Sequence, residues 1–292
     1  MRVAGGLALA LLAAGCVAPT GPPPAPGPRP VSPAPAPTTA PAPPAIEGMA
    51  VQGGLVAGRA QPGAMLTLDG KPVRVAADGR FILGFDRDAA PSALLVQQAS
   101  GAPPAEVRIS VAPRAWRLEP VDAPYRAGRT SAEFDALRPA ELAQITAART
   151  RQTDAAGWRQ RFAWPAHGRQ SGWFGAQRIY QGKPGSYHSG ADVAVPTGTP
   201  VVAPADGVVI LATPAPFTLE GNLLLIDHGM GLSSALMHLS RIDVAVGDHV
   251  RQGQPVALSG ATGRATGPHL HWGLTWQGAR LDPLLVVGAE PE

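Results

Sequence analysis

Apolar positions from about Ile46 onward come in short runs broken by turn residues. MLTLDG, KPVRVAADG, RFILGF, ALLVQQ and EVRISVAP follow one another within about 70 residues, with Asp69-Gly70 and Asp78-Gly79 as hairpin-type turns. This spacing predicts a small β-sandwich over 46–115. Residues 116–160 read differently, as a helical connector. Thr130 to Glu133 (TSAE) offers a capping box, and Pro139 suits the first turn of a second helix. Leu142, Ile145 and Ala148 then recur at helical spacing until Gly157 stops the run. The apolar face is thin, so the helix should pack on a neighbour. After Phe162 the strand pattern returns in GWFGAQ, TPVVAPADGVVILA, NLLLIDHG, LSSALMHLS, PVALSGA and LHWGLTW. The expected fold is all-β: a small N-terminal β-sandwich, a short helical connector, and a C-terminal Gly-rich antiparallel β-sheet domain over 161–287.

The first 45 residues have no such pattern. Residues 1–15 carry one cation, Arg2, and then a short apolar run of small residues, the layout of a secretory signal. Cys16 follows directly, and the segment resembles the lipobox of bacterial lipoproteins, with Ala13 where Leu is usual. The resemblance implies a lipidated Cys16 that anchors the chain to a membrane. Residues 16–45 then form a linker, in which 13 of the 29 residues from Val17 to Ala45 are proline. Proline lacks the backbone donor, so this stretch is an extended spacer, about 90 Å long at full reach.

Composition narrows the function. The chain has 35 glycines and 33 prolines among 292 residues, only 15% charged residues, and a net charge of +3. Nearly all cations are arginine, and no basic run carries interleaved aromatics, which argues against nucleic-acid binding. A mild positive balance suits an anionic polymer such as a cell wall. With Cys16 the one cysteine, no disulfide forms within the chain.

All seven histidines lie from His167 onward. Three pieces concentrate chemistry: YHSGADVAVP with His188 and Asp192, ALMHLS with His238, and GPHLHWGL with His269 and His271. Imidazole and carboxylate are zinc ligands, and a catalytic zinc site keeps three protein ligands plus a water. The helical HExxH motif is absent, so a metal site here rests on strands and loops. On a strand His269 and His271 share a face, about 6 to 7 Å apart, with Leu270 pointing the other way into the core. One can bind a metal while the other stands beside its bound water. His188 and Asp192 would be about 13 Å apart on a straight strand, so the chain must bend between them, and Gly190 permits it.

HSGAD (188–192), GTPVVAPADGVV (198–209), IDHG (226–229), MHLS (237–240), the stretch 247–274 ending in GPHLHWGL, and DP (282–283) together resemble the lysostaphin-type, or LytM-like, M23 family of zinc metallopeptidases. The likeness spans roughly 162–283, and the sandwich and connector more loosely resemble the N-terminal halves of proteobacterial lipoproteins of that family. It implies one Zn2+ held by His188, Asp192 and His271, with His238 and His269 as outer catalytic residues. One of that pair would serve as general base and the other would stabilise the oxyanion. The implied reaction is attack of zinc-bound water on an amide carbonyl in a peptidoglycan cross-link, as in a D,D-endopeptidase. The implied location is the periplasm, lipid-anchored at the inner leaflet of the outer membrane, with other cell-wall enzymes as further partners.

Two other readings belong beside it. Some LytM-like proteins are non-catalytic activators of cell-wall amidases, and these characteristically lose zinc ligands, which this chain keeps. Alternatively the connector or sandwich covers the groove of a latent enzyme. Among the remaining residues, His228 reads as turn-stabilising, His167 and His249 as exposed, and Asp206-Gly207 as a hairpin turn. Trp173, Phe174 and Trp272 read as groove or core, and Tyr187 as a neighbour of substrate.

Overall fold

Strict alternation along Ser92–Gln98 buries Ala93, Leu95 and Gln97 and leaves their neighbours more open. Gln97 is tolerated in the core because its amide is used: Nε2 donates to Ala42 O and Oε1 accepts from Gln61 N. The computed structural model describes residues 42–122 and 132–287, with Gly21 and Gly27 besides. The signal-like segment, Cys16, nearly all of the proline-rich linker, and Thr130 and Ser131 of the capping-box motif lie outside the described residues.

Two antiparallel sheets form the N-terminal part. One orders Ala45–Glu47, Leu55–Arg59 and Arg80–Gly84; the other orders Lys71–Val73, Met65–Leu68, Ser92–Gln98 and Ala105–Ser110. Phe81, Leu83, Leu66, Leu95 and Ile109 fill the space between them. Asp69 and Gly70, at φ 48° and 77°, make the expected hairpin turn. Asp78-Gly79 does not: the strands on either side of it belong to different sheets, so this turn carries the chain across the sandwich.

The C-terminal part is an eight-stranded antiparallel sheet. Its strands run His249–Val250, Gly207–Ala212, Asn222–Asp227, Leu232–Leu239, Leu270–Trp276, Ala191–Ala194 and Arg169–Gly172, with Ala279–Leu281 also paired to Leu270–Trp276. One face presents Leu224, Ile226, Leu232, Leu236, Leu270, Trp272 and Leu274. That face shares a single apolar cluster with Phe81, Leu83 and Phe85 of the sandwich. Gly84 marks the contact, because a Cβ there would sit 2.9 Å from the Trp276 Cβ. Asp206-Gly207 is not a hairpin either, since the strand before it pairs in another sheet.

The opposite face of the sheet is covered in part by the helix Ala132–Arg149, whose Ile145 and Ala148 meet Ile210, Leu223, Leu225 and Ala235. This is one helix and not two. Pro139 lies inside it, where a backbone bond is lost. The adjacent turn is held instead by Arg138, which bonds Glu220 at 2.6 and 2.8 Å and Glu141 at 3.2 Å. Glu141 is buried and also accepts from the Thr218 N and hydroxyl, while Leu142 is 45% exposed. The buried face therefore runs through 141, 145 and 148, because a paired carboxylate took the place expected for leucine. The helix ends at Arg149, short of Gly157. Gly157 is needed for a close approach to the Asp206 carbonyl. The connector also holds a strand, Leu118–Val121, parallel to Gln177–Tyr180, which pairs in turn with Lys183–Tyr187.

His228 is fully buried and structural. Its Nδ1–H donates to Asp206 O at 2.8 Å, Nε2 accepts from the Ser234 hydroxyl at 2.8 Å, and Ser234 Oγ accepts from Trp272 Nε1 at 3.1 Å. Burial lowers its pKa from 6.5 to about 4. The unfolded chain therefore binds this proton before the native one does, and stability is lost as pH falls from about 6.5 towards 4. The loss amounts to roughly 3 kcal/mol. The stability deficit of His228→Gln, measured by denaturant unfolding, should shrink between pH 7 and pH 4; a deficit independent of pH would contradict this.

Candidate metal centre

Antiparallel register places Asp192 directly opposite His271, on the strands Ala191–Ala194 and Leu270–Trp276. His188 reaches the same point from the turn before Ala191. His188 Nε2 lies 3.0 Å from Asp192 Oδ1 and 3.0 Å from His271 Nδ1, and His271 Nδ1 lies 2.8 Å from Asp192 Oδ1. The bend between His188 and Asp192 occurs as expected, though Gly190 does not take a left-handed φ. It is required because a Cβ would run into the Trp272 carbonyl and the His271 ring. Gly172 likewise leaves room for the Asp192 carboxylate.

The trio fits a tetrahedral divalent ion. Two imidazole nitrogens and a carboxylate oxygen converge, and ligand bonds of about 2.0–2.2 Å need these atoms only slightly farther apart, about 3.3–3.5 Å. A backbone carbonyl fixes the His188 tautomer, since a carbonyl can only accept. His188 Nδ1–H donates to Trp173 O at 3.1 Å, which leaves Nε2 as the ligand atom. Burial opposes the Asp192 charge, but the hydrogen bonds of His188 and His271 outweigh it and hold the carboxyl well below its usual range. His188 is raised, because the Asp192 hydrogen bond overcomes its burial. His271 is lowered, chiefly by burial.

His238 and His269 flank the trio, their ring centroids 4.7 Å apart. His238 Nδ1–H donates to Thr262 O at 2.9 Å and His269 Nδ1–H to Gly267 O at 2.8 Å, so each keeps Nε2 for the site. His269 Nε2 is 3.9 Å from Asp192 Oδ1. Burial lowers the His238 pKa, leaving a neutral imidazole that can accept a proton at neutral pH.

Strand alternation alone would send His238 away from this site. Met237 is the register partner of His271, so the next residue should point into the core. A β-bulge intervenes: Met237 and His238 together oppose Leu223, between the pairs Leu224–Leu236 and Asn222–Leu239. His238 has φ 60°, a left-handed conformation uncommon outside glycine, and its ring lies 6.3 Å from that of His271.

A groove of about 620 Å³ opens beside His188, walled by Trp173, Arg178, Tyr187 and Arg264 together with Arg117 and Glu119 of the connector. Arg117 lies over the Trp173 ring, 4.6 Å from its centroid. Motif spacing gave no sign of this wall, which depends on the parallel pairing of Leu118–Val121. Tyr187 lines the groove with its hydroxyl bonded to Asp86 of the sandwich. Phe174 and Trp272 are buried, the latter completely; His167 and His249 are exposed.

Comparison with known proteins places this site in context. Residues 186–283 match the model of peptidase family M23. A crystal structure described as a candidate M23 peptidase from Pseudomonas aeruginosa is 32% identical with a TM-score of 0.63, covering 82% of this chain and 96% of that one. The peptidoglycan DD-endopeptidase ShyA of Vibrio cholerae is 46% identical over 91 residues, 31% of this chain and 21% of that protein. The DD-carboxypeptidase/endopeptidase Mpg of Neisseria meningitidis is 40% identical over 105 residues, 36% of this chain and 24% of that protein. The matched region thus spans about a fifth to a quarter of these curated relatives.

Proposed function

Because the chain belongs to peptidase family M23, a family of zinc metallopeptidases, we propose that it is a zinc-dependent endopeptidase that hydrolyses peptide cross-links of peptidoglycan, at the bond between a D-alanyl residue and a diamino acid. The observation that carries this reading is the convergence of His188, Asp192 and His271 with two further imidazoles beside them. Relatives named as peptidoglycan DD-endopeptidases, 46% identical over 91 and 85 residues, support the substrate class.

His188 Nε2, Asp192 Oδ1 and His271 Nδ1 would hold the zinc, which supplies Lewis-acid activation of water and of the scissile carbonyl. Everything else falls to the chain's own groups. Of the two free Nε2 atoms, on His238 and His269, one accepts the proton of the attacking water. The other, acting as the imidazolium with protons on both ring nitrogens, donates its Nε2–H to the developing oxyanion and gives that proton to the leaving amine, and the proton taken from the water replaces it. The Thr262 and Gly267 carbonyls hold a proton on each Nδ1 and so keep both Nε2 atoms available for this exchange.

The test is digestion of purified sacculi by the zinc-loaded protein, with mass spectrometry of the products. New free amines on the diamino acid and loss of cross-linked dimers are expected. Unchanged muropeptides together with less than stoichiometric zinc would favour the non-catalytic amidase activator instead. We also infer a periplasmic, membrane-anchored protein tethered through Cys16 to the inner leaflet of the outer membrane. Cys16→Ser should then move the protein from the membrane to the soluble fraction, and an unchanged distribution would overturn the anchor.

A further inference from the structure

Arg74, just after the strand Lys71–Val73, has an unmet hydrogen-bonding need. Its Nη1 is shut off from solvent and has no hydrogen-bond partner. A charged donor left unmet in the interior is costly, and the cost is removed when the guanidinium turns to meet an acceptor. Arg74 lines a pocket of about 420 Å³ where the sandwich, the end of the helix Ala132–Arg149 and the large sheet meet. Arg149 and Arg151 line it as well. The one carboxylate among its lining residues, Asp227, is occupied elsewhere: it accepts from the Thr153 N and hydroxyl and from Gly229 N. Three arginines thus line a pocket whose single carboxylate pairs with none of them. Ser233 and Thr275, register partners on adjacent strands, add two hydroxyls.

We propose that this pocket binds an oxyanion, a carboxylate or a phosphate, through the guanidinium groups of Arg74 and Arg149. The planar fork of an arginine suits two oxygens of such a group, and both arginines line this pocket. Thr275 and His271 lie four residues apart on one strand, on the same face of the sheet. The pocket is therefore about 13 Å along the strand from the metal centre. An anion there would tie the sandwich, the helix end and the catalytic strand together. The inference rests on the pocket alone and does not require the peptidase reading.

Binding is read by titration calorimetry on the whole protein, stripped of metal by a chelator so that the metal centre takes no anion. Inorganic phosphate and succinate are the two probes, at constant ionic strength set with sodium chloride. Saturable binding of either is expected, with a rise in the thermal midpoint. Phosphate alone would identify a phosphoryl source, and succinate alone a carboxylate source. Arg149→Ala, at an exposed helix end, should weaken binding about tenfold or more while the fold survives, and Arg74→Gln should do the same. No saturable binding of either probe, or equal binding by both variants and the parent, would overturn the proposal.

Discussion

His271→Ala should abolish hydrolysis of cross-linked muropeptides, lowering the rate by at least about a thousandfold, some 4 kcal/mol of activation free energy. Zinc content should fall with it. His271 supplies Nδ1 at the centre of the trio, 2.8 Å from Asp192 and 3.0 Å from His188, and only two ligands remain without it. His238→Ala and His269→Ala should behave differently. Each leaves the three ligand atoms in place, so zinc is retained while the rate falls about a hundred- to ten-thousandfold, the usual contribution of a positioned acid or base. Metal analysis beside a muropeptide assay checks both parts. If His271→Ala kept its zinc and its rate, the assignment of the centre would fail.

Leu270→Asp should prevent folding. Leu270 is fully buried within the apolar cluster that joins the large sheet to the sandwich. An unpaired carboxylate there costs several kcal/mol, comparable to the whole stability of a typical domain at about 5–15 kcal/mol. Leu270→Ala should fold, with a loss of about 3 kcal/mol from the transfer term and the cavity. Circular dichroism and gel filtration separate the outcomes. A stable Leu270→Asp protein with only its activity lost would mean that this side chain does not face the core.

Strand periodicity is a local property, and it made much of the C-terminal site legible. The single residue between His269 and His271 follows from a repeat of two, with Leu270 buried between them. The same reasoning failed at His238, because a bulge breaks the repeat there, and a bulge depends on how many residues the partner strand presents. It failed again at Leu142, where helical spacing could not reveal that Arg138 and Thr218 would make Glu141 the better buried residue.

The sequence by itself determined where imidazole and carboxylate groups cluster in motifs, most of the segments that are strands, and the apolar side of most of those strands, because side-chain type and short-range periodicity act within a few residues of chain. Only the tertiary structure decided which of those faces meet. It set Asp192 opposite His271, turned His238 into the site against its alternation, and drew Leu118–Val121 into the groove wall beside His188. It also merged sandwich and sheet into one core, and gathered Arg74, Arg149 and Arg151 around one pocket. Each of these depends on contacts between residues far apart in the chain, whose free energy is settled by packing and by the pairing of buried polar groups, and no local pattern encodes them.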